Sequence, residues 1–239
     1  EADTFEYASG QDGTHMLAVA PNGNHAWTTN LGSRTVSLID LKTRRAPRSV
    51  EVGEEPEGIA QSPDGTWLLV TSEEDNTVAW VDVASHEVRL EMETDARPRH
   101  VEFTPDGTQV WIGAEMAGTV HIADVATRTI TRIIAFAQPG VPAYKVMPCG
   151  IRFTPDGRTA LVALGRANAV AVVDVASGEV RGYVPVGERP WHLAILPDGG
   201  SALVANGASD TLSLIDIAMR EVIATIPAGK GPWGVALGH

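Results

Sequence analysis

A short turn sequence, Pro-Asx-Gly, returns along the chain at Pro21-Asn22-Gly23, Pro63-Asp64-Gly65, Pro105-Asp106-Gly107, Pro155-Asp156-Gly157 and Pro197-Asp198-Gly199, with spacings of 42, 42, 50 and 42 residues. A fixed period of this size means that one supersecondary unit is repeated. Two more markers keep step with it. Short β-branched runs ending in aspartate fall at 36–40, 78–82, 120–124, 170–174 and 212–216, and a proline stands at 56, 98, 148, 190 and 232.

One period reads as four short strands. In residues 57–98, Gly58-Ile59-Ala60 is an apolar strand, and Ser62-Pro63-Asp64-Gly65 is a turn in which proline presets φ and glycine supplies φ > 0. Residues 67–71 form the second strand, 72–76 a polar loop, 77–83 the third strand, 84–87 a tight turn and 88–93 an alternating outer strand. No stretch carries convincing helical periodicity. A four-stranded antiparallel unit cannot bury both faces alone, so such units stack around an axis as blades. The fold expected is an all-β propeller in one domain, residues 1–239. A β-sandwich would not explain three markers sharing one period.

Five repeats are complete, at 15–56, 57–98, 99–148, 149–190 and 191–232. Residues 4–9 stand where an outer strand belongs, and Trp233-Gly234-Val235-Ala236-Leu237 repeats the start of an inner strand. Segments 1–14 and 233–239 together make half a blade, which points to a chain cropped from a longer propeller.

The repeats resemble YVTN-type propeller repeats. The stretch Gly150-Ile151-Arg152-Phe153-Thr154-Pro155-Asp156-Gly157, followed by Ala160 to Gly165 and Ala167 to Asp174, is similar to the periplasmic β-propeller proteins associated with PQQ-dependent catabolism. So are Glu55-Pro56-Glu57-Gly58, Arg97-Pro98-Arg99, Gln138-Pro139-Gly140-Val141-Pro142 and Pro232-Trp233-Gly234-Val235-Ala236. The resemblance implies a seven-bladed, exported parent and a periplasmic or secreted location, with a PQQ-linked pathway nearby. It implies no reaction and carries over no catalytic residue. His100, Cys149 and His192 depart from it, standing where the family more often has Phe, Val and Gln.

In this strand order the outer-to-inner connection and the loop between second and third strands open at one end of each blade, where binding residues sit on a rigid scaffold. Aligning the repeats puts His15-Met16, Glu57-Gly58, Arg99-His100, Cys149-Gly150, Trp191-His192 and Trp233-Gly234 at that rim, with Glu54-Glu55, Arg97, Glu188-Arg189 and Lys230 just before them. The second-to-third loops add Arg34, Glu73-Glu74-Asp75, Glu115-Met116, Arg166 and Asp210.

Imidazole, thiolate and thioether together suit copper or haem iron better than calcium or magnesium, so His15, His100 and His192, with Met16 and Cys149, are the metal candidates. No local metal-spacing motif supports them, and capping of inner strands is the plainer role. Arg97, Arg99, Arg189 and Lys230 can read carboxylates through guanidinium forks and ammonium, with Trp191 or Trp233 stacking on the ligand. PQQ is one such anion. The plainer alternative pairs these cations with Glu54, Glu55, Glu57 and Glu188. The aspartate at 40, 82, 124, 174 and 216 occurs once per blade and reads as a satisfier of turn amides. His25, His86 and His121 fall away from the rim and read as surface or packing residues.

Eighteen basic against thirty acidic residues give a net charge of −12, the wrong sign for a phosphate backbone. No apolar run approaches the roughly 20 residues that span a bilayer. Neither nucleic acid nor membrane insertion is expected. The lone Cys149 excludes an intramolecular disulfide and a Cys-only zinc site. The leading expectation is a binding or scaffold protein whose rim takes a small anion or a periplasmic protein partner, with no cofactor held. The alternatives are a metal- or haem-dependent oxidoreductase, or its subunit, and a lactonase-like hydrolase using an acidic metal cluster of Glu57 with Glu73 or Glu115.

Overall fold

The computed structural model describes residues 10–238. Among them regular structure is almost all strand, broken only by two single turns of 3₁₀ helix, Ala143–Lys145 and Gly165–Ala167. The chain forms two compact units that meet in sequence between Phe103 and Thr104.

The first unit holds β1 (Thr14–Val19), β2 (His25–Asn30), β3 (Thr35–Asp40) and β4 (Arg45–Glu51) in one antiparallel sheet of that order. A second sheet follows with β5 (Pro56–Gln61), β6 (Trp67–Ser72), β7 (Thr77–Asp82) and β8 (Glu87–Glu93), and the unit closes with β9 (Pro98–Phe103). The second unit opens with β10 (Gln109–Ala114), β11 (Thr119–Asp124) and β12 (Thr129–Ala135). It continues as two four-stranded sheets: β13 (Pro148–Phe153), β14 (Thr159–Leu164), β15 (Ala169–Asp174) and β16 (Val180–Pro185), then β17 (Pro190–Ile195), β18 (Ser201–Asn206), β19 (Thr211–Asp216) and β20 (Glu221–Pro227). The chain is a propeller of four-stranded antiparallel blades, and the strand limits read from the sequence hold to within about two residues.

Turn chemistry fixes the register. Gly65 takes φ of 77°, while the Asp64 carboxylate accepts the Thr66 N–H and the Ser62 hydroxyl. At the third-to-fourth turn the His86 N–H closes on the Asp82 carbonyl and the Asp82 side chain accepts the Ser85 N–H. Asp40, Asp124, Asp174 and Asp216 repeat that side-chain bond to the N–H groups of Thr43, Thr127, Ser177 and Met219. The once-per-blade aspartate is a turn residue, and the bonds it accepts hold Asp40, Asp82, Asp124 and Asp174 below the usual carboxylate range.

Each unit has its own apolar core. In the first, Trp27, Val36, Val50, Ile59, Leu68, Val70 and Val81 pack between the two sheets. In the second, Trp111, Ile122, Ile151 and Val162 anchor one cluster, and Leu161, Val170, Leu193 and Val204 another. Residues 233–238 pair in no strand. Among the described residues the inner-strand sequence there finds no backbone neighbour for the ladder that a strand requires. Residues 4–9, read as an outer strand, lie outside the described residues.

Candidate functional site

The inner strands carry a repeated irregularity at their first residues. The pairing register slips between Thr14 and Leu17, Pro56 and Ile59, Pro148 and Ile151, and Pro190 and Leu193. Each slip is a bulge that frees two residues from the ladder and re-aims their side chains. The freed pairs are His15-Met16, Glu57-Gly58, Cys149-Gly150 and Trp191-His192. Neighbouring inner strands also come close here. A Cβ on Gly58 would lie 2.6 Å from the Arg99 carbonyl oxygen, and one on Gly150 would lie 2.8 Å from that of Trp191.

The residue before the marker proline is bent into the left-handed region at Glu55, Arg97 and Arg189, an uncommon conformation for a side-chain-bearing residue. At Arg97 and Arg189 its amide is caught by a side chain of the second-to-third loop. The Arg97 N–H donates to Asn76 Oδ1 at 2.8 Å and the Arg189 N–H to Asn168 Oδ1 at 3.0 Å. Backbone geometry therefore sets where both guanidinium groups start.

In the first unit these elements assemble a chain of five charged or titratable groups. His15 Nε2 lies 2.9 Å from Glu57 Oε1, and Arg99 reaches the same oxygen at 3.1 Å and Glu73 Oε1 at 3.4 Å. Arg97 donates its Nε to Glu73 Oε2 at 2.7 Å. Both carboxylates are buried, whereas the Arg97 side chain is 42% exposed. The hydrogen bond to Glu57 raises the His15 pKa against a smaller opposing effect of burial. Burial raises that of Glu73, outweighing the two arginines that pull it down.

The second unit builds a variant of the same pattern. Glu115 stands at the repeat position of Glu73, and Arg189 at that of Arg97. Arg189 donates Nη2 to Glu115 Oε1 at 2.9 Å and Nη1 to the Met147 sulfur at 3.2 Å, and it covers the Trp191 ring at 4.1 Å. Glu115 and Arg189 belong to adjacent repeats, 99–148 and 149–190. The repeat of Arg189 itself carries Gly165 where a glutamate would stand, and a Cβ there would come within 3.0 Å of Arg189 Nη1. That missing side chain opens the arginine's path. Trp191 in turn packs against Gly207, where a Cβ would be 2.5 Å from the indole.

The remaining candidates have other settings. His100 is buried with Nε2 3.6 Å from Glu102 Oε2, and His192 is buried with its ring 4.3 Å from that of Trp233. The Cys149 thiol is buried and donates to the Met147 carbonyl at 3.2 Å, with Glu115 Oε1 at 3.9 Å. Met16 packs against the first unit's core, and Lys230 is exposed. Among the described residues, no three His, Cys, Asp or Glu side chains gather in a way that could hold a metal ion. Glu57, Glu73 and Glu115, the carboxylates of the metal-cluster alternative, face guanidinium groups instead. The arginines pair chiefly with the loop glutamates Glu73 and Glu115 and with Glu57. Glu54 pairs with Arg34. Only alignment of the repeats by period could have signalled the Glu73 and Glu115 pairings.

A family model described as a lactonase with a seven-bladed β-propeller matches residues 83–222, more than half of the chain. The chain belongs to this lactonase, seven-bladed β-propeller family. Among solved structures, Kuenenia stuttgartiensis hydrazine synthase is similar in fold. Its identity is 17% and its TM-score 0.71, over 97% of this chain and 91% of that one. No curated protein matches the chain.

Proposed function

We propose that this member of the lactonase propeller family binds a small carboxylate-bearing molecule at the bulged ends of its first-unit inner strands. The observation that carries this is the Arg99 guanidinium held between two buried carboxylates, with the half-open Arg97 beside it. Carboxylate partners fix the forks before a ligand arrives, which lowers the ordering cost of binding. A guanidinium has five N–H donors in a rigid plane suited to a second carboxylate. Glu57 and Glu73 balance Arg97 and Arg99 in charge, so protonation of His15 tips the cluster to net positive. The resemblance to PQQ-associated propellers supports an exported location and makes PQQ, a tricarboxylate, the first ligand to try.

Calorimetric titration with PQQ and with a simple hydroxy acid tests the reading. Saturable binding that tightens as pH falls through the raised His15 pKa is expected. The exposed-side substitution Arg97→Gln should weaken it about tenfold, the worth of one charge-assisted bond. Absence of binding, or affinity untouched by Arg97→Gln, would refute it.

The His15–Glu57 contact and the family's name favour a second reading, lactone hydrolysis with His15 as general base and Glu57 orienting its ring. Turnover of a γ- or δ-lactone that is lost in His15→Gln would select it over plain binding.

A further inference from the structure

At the opposite end of the first unit's inner strands, beyond the last residues of β1 and β5, lies a cavity of about 340 Å³. Trp27, Leu38 and Val83 form its apolar walls, and Gln61, His25 and His86 its polar ones. No Asp, Glu, Lys or Arg lines it among the described residues. The repeat explains why it is open. The counterparts of Trp27 and Gln61 in the second unit are Trp111 and Phe153, whose rings meet edge to face at 5.2 Å and 86°. Phe153 packs against Trp111, whereas the smaller Gln61 leaves that place beside Trp27 to the His86 ring, with Trp27 itself only 1% exposed.

The polar groups specify what fits. The Arg48 Nη1 group, which can only donate, bonds His86 Nδ1 at 3.0 Å. His86 is therefore neutral with its proton on Nε2, in accord with a pKa lowered by burial and by the Arg48 charge. Gln61 gives Nε2 to the Gly65 carbonyl at 3.1 Å and leaves its buried Oε1 without a hydrogen-bond partner. The site thus offers a donor at His86, an acceptor at Gln61 and an indole wall at Trp27, with the His86 ring 5.8 Å from it. Its volume is at the low end of the roughly 300–1,000 Å³ of small-molecule sites, enough for one ring system.

We infer that this cavity is a second ligand site, for a neutral planar heteroaromatic that donates an N–H to Gln61 and accepts from His86. It stands apart from the charged cluster and does not depend on the function proposed above.

The test is titration of the full chain with indole, adenine and, as an anionic control, benzoate, followed by the Trp27 indole N–H resonance, assigned by its loss in Trp27→Phe. Saturable shifts with adenine below about 10 mM, weaker ones with indole, which has the N–H donor but no ring acceptor for His86, and none with benzoate, are expected. Gln61→Phe, which copies the Trp111–Phe153 packing, should abolish the shifts while holding or raising Tm. His86→Ala should weaken binding several-fold without unfolding the blade. No saturable shift with either neutral ring, equal binding by Gln61→Phe, or equal binding of benzoate would overturn the inference.

Discussion

His15 and Glu57 show how much one hydrogen bond sets at the scale of a residue. His15 is exposed, yet its pKa is raised because its ring bonds a buried carboxylate. Glu57→Gln keeps the shape and removes the charge, so the His15 titration followed by NMR should fall back toward 6.5. The sign of the linkage follows. A raised histidine pKa stabilises the fold below pH 6.5, and this contribution disappears as pH rises through the folded-state value. Glu73 runs the other way for a carboxylate. Its raised pKa means that ionising it in the folded state has a cost, which Arg97 and Arg99 offset only in part. Arg99 spans both carboxylates and is itself mostly buried, so truncating it leaves two buried charges poorly compensated. Such a break typically costs about 3–5 kcal/mol.

At the scale of an element, the turns carry most of the information. Each blade closes its outer hairpin with an aspartate that accepts a backbone N–H two or three residues on. Lowered pKa values make this contribution present above pH 3.8 and lost as pH falls through the folded-state values. Asp82→Ala should therefore lower Tm at pH 7, and the gap from the parent chain should narrow as pH falls below 3.8 and through the folded-state value in a thermal melt series. A gap independent of pH would assign the loss to something other than the ionised carboxylate. These turns were legible in advance because their chemistry is local: proline, aspartate and glycine each act within four residues. The bulge at the heads of β1, β5, β13 and β17 was not, since a one-residue slip depends on the adjoining strand.

For the whole molecule, each of the two units buries apolar side chains in a core of its own. Trp111 is fully buried in the second unit against Val120, Ile151 and Phe153. Trp111→Ala should cost about 3–5 kcal/mol in denaturant unfolding followed in that unit, a large share of the 5–15 kcal/mol that holds a typical domain. A cost under about 1 kcal/mol would show that the site collapses around the smaller side chain. The net charge of −12 gives the chain as a whole the wrong sign for steering an anion, so anion binding must come from local geometry rather than from long-range attraction.

The sequence by itself determined the blade. The period, the strand order within it, the turn aspartates and the rim positions all follow from residues that act on near neighbours. It also placed Glu57, Arg97, Arg99 and Arg189 at the ends of strands where a ligand could meet them. Tertiary structure alone decided their partners. Arg99 joins Glu57 and Glu73, Arg189 passes over Gly165 to reach Glu115, and His86 turns toward Trp27 where Gln61 leaves room. Each of those choices depends on the side chain of another repeat, tens of residues away. A local pattern carries no record of which long side chain will cross the gap.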